Sequence, residues 1–283
     1  MTSLATARTS AELAVGEPRA RFRDLLASEW IKLWSLRSTP WSLLGAELVV
    51  IAFNVGIAYD HYRYWPTFDR EHQAQFIEQK MALWDAFTTN AGMILILCFS
   101  AIGALAVVGE YSTGMIRTTF AAVPARRSVM AAKVVVVAGV TTVCGAMVAG
   151  ASFALTQAVL SARGAGVSIG EPGALRLVVA SALLAPLSAL VGMAIGTVLR
   201  HSASTIVASV VVLLVLPLVV SDQRHWSAVL AHTLPYEAWM RLVQAGQYET
   251  LYPWSLGGAW CVYGAWALVA AVITVTAVHL RDQ

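Results

Sequence analysis

Charge is what this 283-residue chain has least of. Asp, Glu, Lys and Arg make up 12% of it, about half of the ~25% usual in globular proteins. Hydrophobic residues make up 58%, and the mean hydropathy is +0.68. So little polar surface excludes a disordered or fibrous chain and argues against an ordinary soluble enzyme. Cysteine is scarce too: Cys98, Cys144 and Cys261, an odd number, each inside an apolar run. That excludes a disulfide scaffold and reads as three small buried hydrophobes. There are only three lysines, Lys32, Lys80 and Lys133, and none follows a glycine. A phosphate-binding Gly-Lys-Ser/Thr loop is therefore missing, and the chain lacks an ATPase site of its own. G-x-S-x-G and H-E-x-x-H are missing as well. His61 and His72 match no ligand spacing and read as a solvated face, so no metal, cofactor or catalytic residue is expected. The net charge of +3 is too small to argue for a nucleic-acid partner, and no alternating ten-residue segments suggest a β-barrel.

What is present is six apolar runs long enough for helical spans: 41–58, 86–108, 129–160, 174–199, 203–220 and 257–280. The fold class is thus an all-α integral membrane protein with six transmembrane helices. The third run is over-long for a straight span and is expected to tilt or project. Pro186 and Pro217 lie inside spans, where neighbours must satisfy the freed carbonyls. Gly192 and Gly196 have the GxxxG spacing that permits close helix approach. The first run follows a polar stretch and does not read as a cleaved signal. An even span number puts both termini on one side. The side carrying the termini holds 12 of the 19 Lys and Arg residues, which makes it cytoplasmic by the positive-inside rule. A plasma-membrane location is expected.

Residues 1–21 read as a disordered cytoplasmic tail, and 22–283 as the membrane domain. Segment 22–38 reads as an amphipathic helix in the cytoplasmic interface. Phe22, Leu25, Leu26, Trp30, Leu33, Trp34 and Leu36 form its apolar half, and Glu29 intrudes on that half. Ser38-Thr39-Pro40 ends it. External segment 59–85 is aromatic and charged, with one surface helix expected over 69–84. External segment 221–256 holds two short helical stretches around Pro235, with Trp226, Tyr236 and Trp239 among the aromatics of an interfacial belt. Glu47 is the one acid well inside a span, ~9 Å along the helix from Trp41. Such an acid is a functional candidate by default, for a translocation path or a subunit interface.

Segment 109–128, Gly-Glu-Tyr-Ser-Thr-Gly-Met-Ile-Arg-Thr-Thr-Phe-Ala-Ala-Val-Pro-Ala-Arg-Arg-Ser, is the most informative loop. Gly114 can turn the chain, 115–122 can form two helical turns, and Pro124 stops them. Arg126 and Arg127 anchor the next span at the headgroups. A short rigid helix tied to two spans can transmit a push.

The pattern Ser28-Glu29-Trp30-Ile31-Lys32-Leu33, then Leu36-Arg37-Ser38-Thr39, together with Gly109-Glu110-Tyr111-Ser112-Thr113-Gly114-Met115-Ile116-Arg117, resembles the permease subunits of ABC-2 type transporters of actinobacteria. The resemblance covers 22–283. It implies an elbow helix (with Glu29, Trp30, Lys32, Trp34 and Arg37) and a coupling helix. In the coupling helix Glu110 and Arg117 fix the element, Met115 and Phe120 touch an ATPase, and Tyr111, Gly114, Pro124, Arg126 and Arg127 complete the segment. It also implies a separate ABC ATPase subunit in two copies, carrying ATP and Mg, and a second permease copy or sister permease. The activity implied is ATP-driven export of a lipophilic drug, antibiotic, peptide or lipid-linked polymer. A secondary transporter and a non-transporting membrane sensor or scaffold are the alternatives. The long first external segment and Glu47 depart from the family pattern.

Overall fold

The computed structural model describes residues 21–220, 224–244 and 252–280. The expected tail, 1–21, lies outside these but for Arg21, as do parts of the second external segment. All regular structure among the described residues is helical. A surface helix, α1 (Phe22–Ser35), leads into α2 (Ser38–Tyr64). A 3-10 turn at Trp65–Thr67 and two short helices, α3 (Arg70–Glu78) and α4 (Met81–Ala86), follow. Then come α5 (Thr89–Ser112), α6 (Met115–Ala122), α7 (Arg126–Ser161), α8 (Ala174–Leu199) and α9 (Ser202–Val219). Two more short helices, α10 (His225–His232) and α11 (Pro235–Val243), precede α12 (Leu256–Leu280).

Among the described residues six stretches are long and apolar enough to cross a membrane: Ser38–Thr67, Met81–Ser112, Arg126–Ser161, Ala174–Leu199, Ser202–Val219 and Leu256–Val278. That is consistent with a multi-pass membrane protein. Exposed apolar side chains such as Leu48, Val143, Met147, Leu268 and Val272 cover its flanks, as a lipid solvent requires. The elements start and stop for local reasons. Thr88 caps α5 by accepting from the Ala91 N–H; the expected start at 86 moves because Phe87 is extended. Leu36 is extended, so α1 ends before the Ser-Thr-Pro, and Pro40 falls in the first turn of α2, where its missing N–H costs little. In α9 a π-helical stretch, Val211–Val215, precedes Pro217, and Leu216 N–H donates to Val211 O. This offset is a usual response to a disturbed ladder.

α8 is the centre. Its most apolar window is 72% buried, against 22% for α12. Small residues bring its backbone against two neighbours. A Cβ at Gly192 would stand 2.0 Å from Ser100 O of α5, and one at Gly103 of α5 would stand 1.9 Å from Ala189 O. A Cβ at Gly145 of α7 would stand 2.1 Å from Ala182 O. Gly196 packs on Val108 and Ala104. The GxxxG pair therefore does mark a close crossing, between α8 and α5. Pro186 is buried within α8.

Three expectations are corrected. The single helix over 69–84 is two, because Lys80 adopts a left-handed conformation (φ 53°) between them. The turn drives Ala82, Leu83, Asp85 and Ala86 into the bundle and places Lys80 2.7 Å from Glu171. Buried polar side chains hold this fold-back. Asn54 accepts from the Thr88 N–H (2.9 Å) and donates to Ser152 Oγ (3.1 Å). Gln157 donates to Ala82 O (2.7 Å) and accepts from the Val167 N–H (2.8 Å). His61 Nδ1 lies 2.6 Å from Asp85 Oδ2. Second, Tyr236 and Trp239 are not belt residues. They are buried, and the Trp239 indole donates to Ser181 Oγ (3.1 Å), because α11 turns its apolar side toward α8 and α12. Trp226, by contrast, is exposed. Third, Cys261 is exposed on α12, Cys98 is half-buried, and Cys144 alone is buried.

The close crossings yield a stability test. Gly103→Ala is expected to lower stability by about 1–3 kcal/mol through overpacking. Gly139→Ala, whose Cβ would meet nothing within 4 Å, is expected to be neutral or to stabilise by up to about 1 kcal/mol. Thermal unfolding in detergent distinguishes them.

Candidate functional site

Among the described residues three of the four buried charged side chains, Glu29, Glu110 and Lys133, meet at one place; the fourth, Asp85, pairs with His61. Glu29 and Lys32 stand three residues apart on one face of α1, as helical spacing requires. Glu110 lies in the last turn of α5. Lys133 lies seven residues into α7, ~10 Å along it from Arg126. Glu29, Glu110 and Lys133 are each 3–4% exposed. The Lys133 ammonium donates to Glu29 Oε2 and, at 2.8 Å, to Glu110 Oε1. Lys32 Nζ is 2.6 Å from Glu29 Oε1 and 3.3 Å from Glu110 Oε1, and reaches Thr119 Oγ1 of α6 at 3.4 Å. Two carboxylates and two ammonium groups thus join α1, α5, α6 and α7. Burial by itself would lower the Lys32 pKa; the hydrogen bond to Glu29 and the charges of Glu110 and Glu29 outweigh it, and hold the pKa above its ordinary value. The cluster is neutral, which is what makes its burial tolerable. One acceptor is left over: Glu110 Oε2 is buried with no hydrogen-bond partner among the described residues.

α6 hangs from this cluster. Gly114 enters it with φ 74°, a left-handed position suited to glycine. Ile116 is buried, and Phe120 packs half-buried against the core. The Arg126 guanidinium sits 5.3 Å over the Phe120 ring, a cation–π contact that ties α6 to the start of α7. The Arg200 guanidinium sits 4.8 Å from the Tyr111 ring, which links the α8–α9 turn to the end of α5. His201 in that turn accepts from the Ser204 N–H and caps α9. The other face of α6, with Met115, Arg117, Thr118, Ala121 and Ala122, is exposed, and Pro124 and Arg127 are exposed beyond it.

Among the residues singled out in the sequence, the structure brings Glu29, Lys32 and Glu110 together. Glu29, the intruder on the apolar half of α1, is the centre of its buried face with Leu25. Trp30, Trp34, Leu36 and Phe22 are instead exposed, and Trp30 and Trp34 face each other with ring centroids 5.6 Å apart. Arg37 is exposed in the α1–α2 turn. The Arg117 side chain is exposed and makes no hydrogen bond or ion pair among the described residues. The hold on α6 comes from Ile116, Phe120 and the Thr119 contact, because Arg117 points to solvent. Glu47 is half-buried, beside the Cys144 thiol of α7, away from the cluster and from any basic partner among the described residues. Lys133, Thr119 and Arg200 were not singled out. Lys133 carried a signal: it is the one lysine inside an apolar run, and such a residue demands acidic partners.

Among the described residues no group of three or more His, Cys, Asp or Glu side chains is placed to hold a metal ion. No protein-family model matches the chain, and no curated protein matches it.

The cluster can be tested by charge removal. Lys133→Met leaves two buried carboxylates with one lysine, and is expected to destabilise by about 3–5 kcal/mol. Adding Glu29→Gln restores neutrality, so the double variant should lose less than the two single losses together. A double-mutant cycle on unfolding in detergent gives the coupling.

Proposed function

We propose that this chain is the membrane-spanning subunit of an ATP-driven exporter of the ABC-2 kind. α1 is its elbow helix, and α6 is the coupling helix on which a separate ATPase subunit bears. One observation carries the reading. The buried Glu29–Lys32–Glu110–Lys133 cluster joins a surface helix to two long apolar helices, with Thr119 of α6 attached. A displacement of α6 is therefore passed to α1, α5 and α7 together, since packed elements with fixed ion pairs move as units. The exposed face of α6 is the contact for the ATPase: Met115 offers apolar area and Arg117 a charge. The missing phosphate-binding loop agrees with a motor on another polypeptide.

In this reading the end with α1 and α6 is cytoplasmic, in line with the excess of Lys and Arg there. Exposed Trp30 and Trp34 lie at the headgroup level of the inner leaflet, as an interfacial helix does. Two copies of the chain, or this chain and a sister permease, enclose a path for a lipophilic cargo. α2 and α12, whose most apolar windows are 28% and 22% buried, offer surface for that pairing, and Glu47 lies on α2.

Two measurements test this. The tagged full-length chain, purified from its native membrane, is expected to bring a P-loop ATPase and Mg-dependent, vanadate-sensitive ATP hydrolysis. Arg117→Glu should lower the recovered activity about tenfold or more while the chain stays folded. Recovery of the chain without ATP hydrolysis, or with activity indifferent to Arg117→Glu, would reject the reading. For orientation, a membrane-impermeant maleimide should label Glu71→Cys in intact cells and Ala121→Cys only after permeabilisation, both in a background lacking the native cysteines. The reverse pattern inverts the topology.

A further inference from the structure

Two arginines are brought together at the end of the molecule opposite α1. Arg176 lies in the first turn of α8 and Arg241 in the last turn of α11. The Arg176 side chain reaches the end of α11, where Nε donates to Leu242 O (2.8 Å) and Nη2 to Gln244 O (2.6 Å). Arg241 Nε donates to Trp254 O (2.8 Å), just before α12. These bonds fix both guanidinium groups in one neighbourhood, and the Arg241 charge stands near enough to repel that of Arg176. Neither forms an ion pair among the described residues. Glu171 is held by Lys80, and Glu237, one turn before Arg241 on α11, is beyond ion-pair reach of both.

Like charges held together cost free energy unless an anion joins them. The backbone does not supply that anion. Its carbonyls occupy Nε of each arginine and Nη2 of Arg176, and the weak negative end of α11 is offset by the positive end of α8. Arg176 Nη1 and both terminal nitrogens of Arg241 make no hydrogen bond among the described residues, and all three are open to their surroundings. Planar forks of this kind match the oxygens of a phosphate group. The location decides where the phosphate comes from. Arg176 begins one helix of membrane-spanning length, and Trp254 stands two residues before another, which puts the pair at headgroup depth. Leu175 and Val179, beside Arg176 on α8, are exposed and offer hydrocarbon to an acyl chain. We infer that Arg176 and Arg241 form a binding site for the phosphate of an anionic phospholipid in the leaflet opposite α1. A zwitterionic lipid carries the same phosphate but adds an ammonium group that the pair repels. The inference goes beyond the exporter reading and does not depend on it; it needs only that the apolar helices lie in a bilayer.

The test is native mass spectrometry of the delipidated full-length protein in detergent, titrated with dioleoylphosphatidylglycerol or dioleoylphosphatidylcholine, with thermal unfolding followed in parallel. The wild type should bind its first phosphatidylglycerol about tenfold or more tightly than phosphatidylcholine, the scale set by two basic residues facing an anionic lipid. Phosphatidylglycerol should also raise its unfolding temperature. Arg241→Gln should bring the two lipids to within about twofold and remove that rise, while unfolding close to the wild-type temperature without lipid, because it relieves the repulsion of Arg176. Arg241→Lys, which keeps the charge, should retain most of the preference. Arg63→Gln removes an exposed charge elsewhere, beside Tyr64, and should leave the preference intact. Equal binding of the two lipids by the wild type would overturn the inference whatever the variants do. So would a preference that survives Arg241→Gln, or one lost equally in Arg63→Gln. Inorganic phosphate at millimolar concentration, stabilising the wild type as much as phosphatidylglycerol does, would make this a site for an adventitious ion only and would overturn it too. Because the readout is lipid binding and not transport, its failure leaves the exporter reading standing.

Discussion

Two carboxylates and two ammonium groups share a space that water barely reaches, and the organisation of one end of the molecule depends on their being together. Each alone would be costly there. Lys133 inside an apolar helix needs Glu29 and Glu110; Glu29 on a buried helical face needs Lys32 and Lys133. None of these side chains could be placed without the others, so α1 is held against α5 and α7 by a requirement stricter than apolar packing. Lys32 extends the constraint to Thr119, so α6 inherits it. One acceptor, Glu110 Oε2, is left without a donor among the described residues.

The rest of the bundle is built on a different principle. Lipid removes most of the driving force for burying apolar side chains, and close backbone approach takes its place. α8 is central because Gly103, Gly145, Gly192 and Gly196 let α5 and α7 come to it at distances no side chain would allow. At the opposite end, buried amides do what the ion cluster does at the first. Asn54 and Gln157 tie the fold-back of α3 and α4 to the long helices, supported by His61 with Asp85. The molecule is therefore fastened polar at both ends and by shape in the middle. The polar fastening at the α1 end is the one that also holds α6, through Lys32 and Thr119.

Much of this was legible in the sequence. The six apolar runs, the turn at Gly114, the two-turn helix over 115–122 and the stop near Pro124 follow from hydropathy and backbone preference, and the structure has them. The GxxxG pair was readable as a close crossing, though not its partner helix. Other features needed three dimensions. A helical wheel makes Trp30 and Trp34 the apolar side of α1, because hydropathy ranks tryptophan above glutamate. The structure exposes the tryptophans and buries Glu29, because Lys133 waits on α7 and indoles suit an interface. Lys80 gave no hint of a left-handed turn, since lysine has no preference for one; only its pairing with Glu171 and the burial of Leu83 account for it. Tyr236 and Trp239 looked like belt residues by composition and are core residues by position.

The sequence by itself determined what can be read locally: the all-helical class, the number of long apolar helices, the break points between them and the asymmetry of basic residues along the chain. These follow from spacing, composition and the conformational limits of glycine and proline, which act over a few residues. Tertiary structure alone decided which charges meet. Glu29, Glu110 and Lys133 are separated by up to 104 positions, and nothing local states that they converge. The cavity of about 360 Å³ beside them, lined by α1, α2, α5 and α7, exists only because those helices meet there.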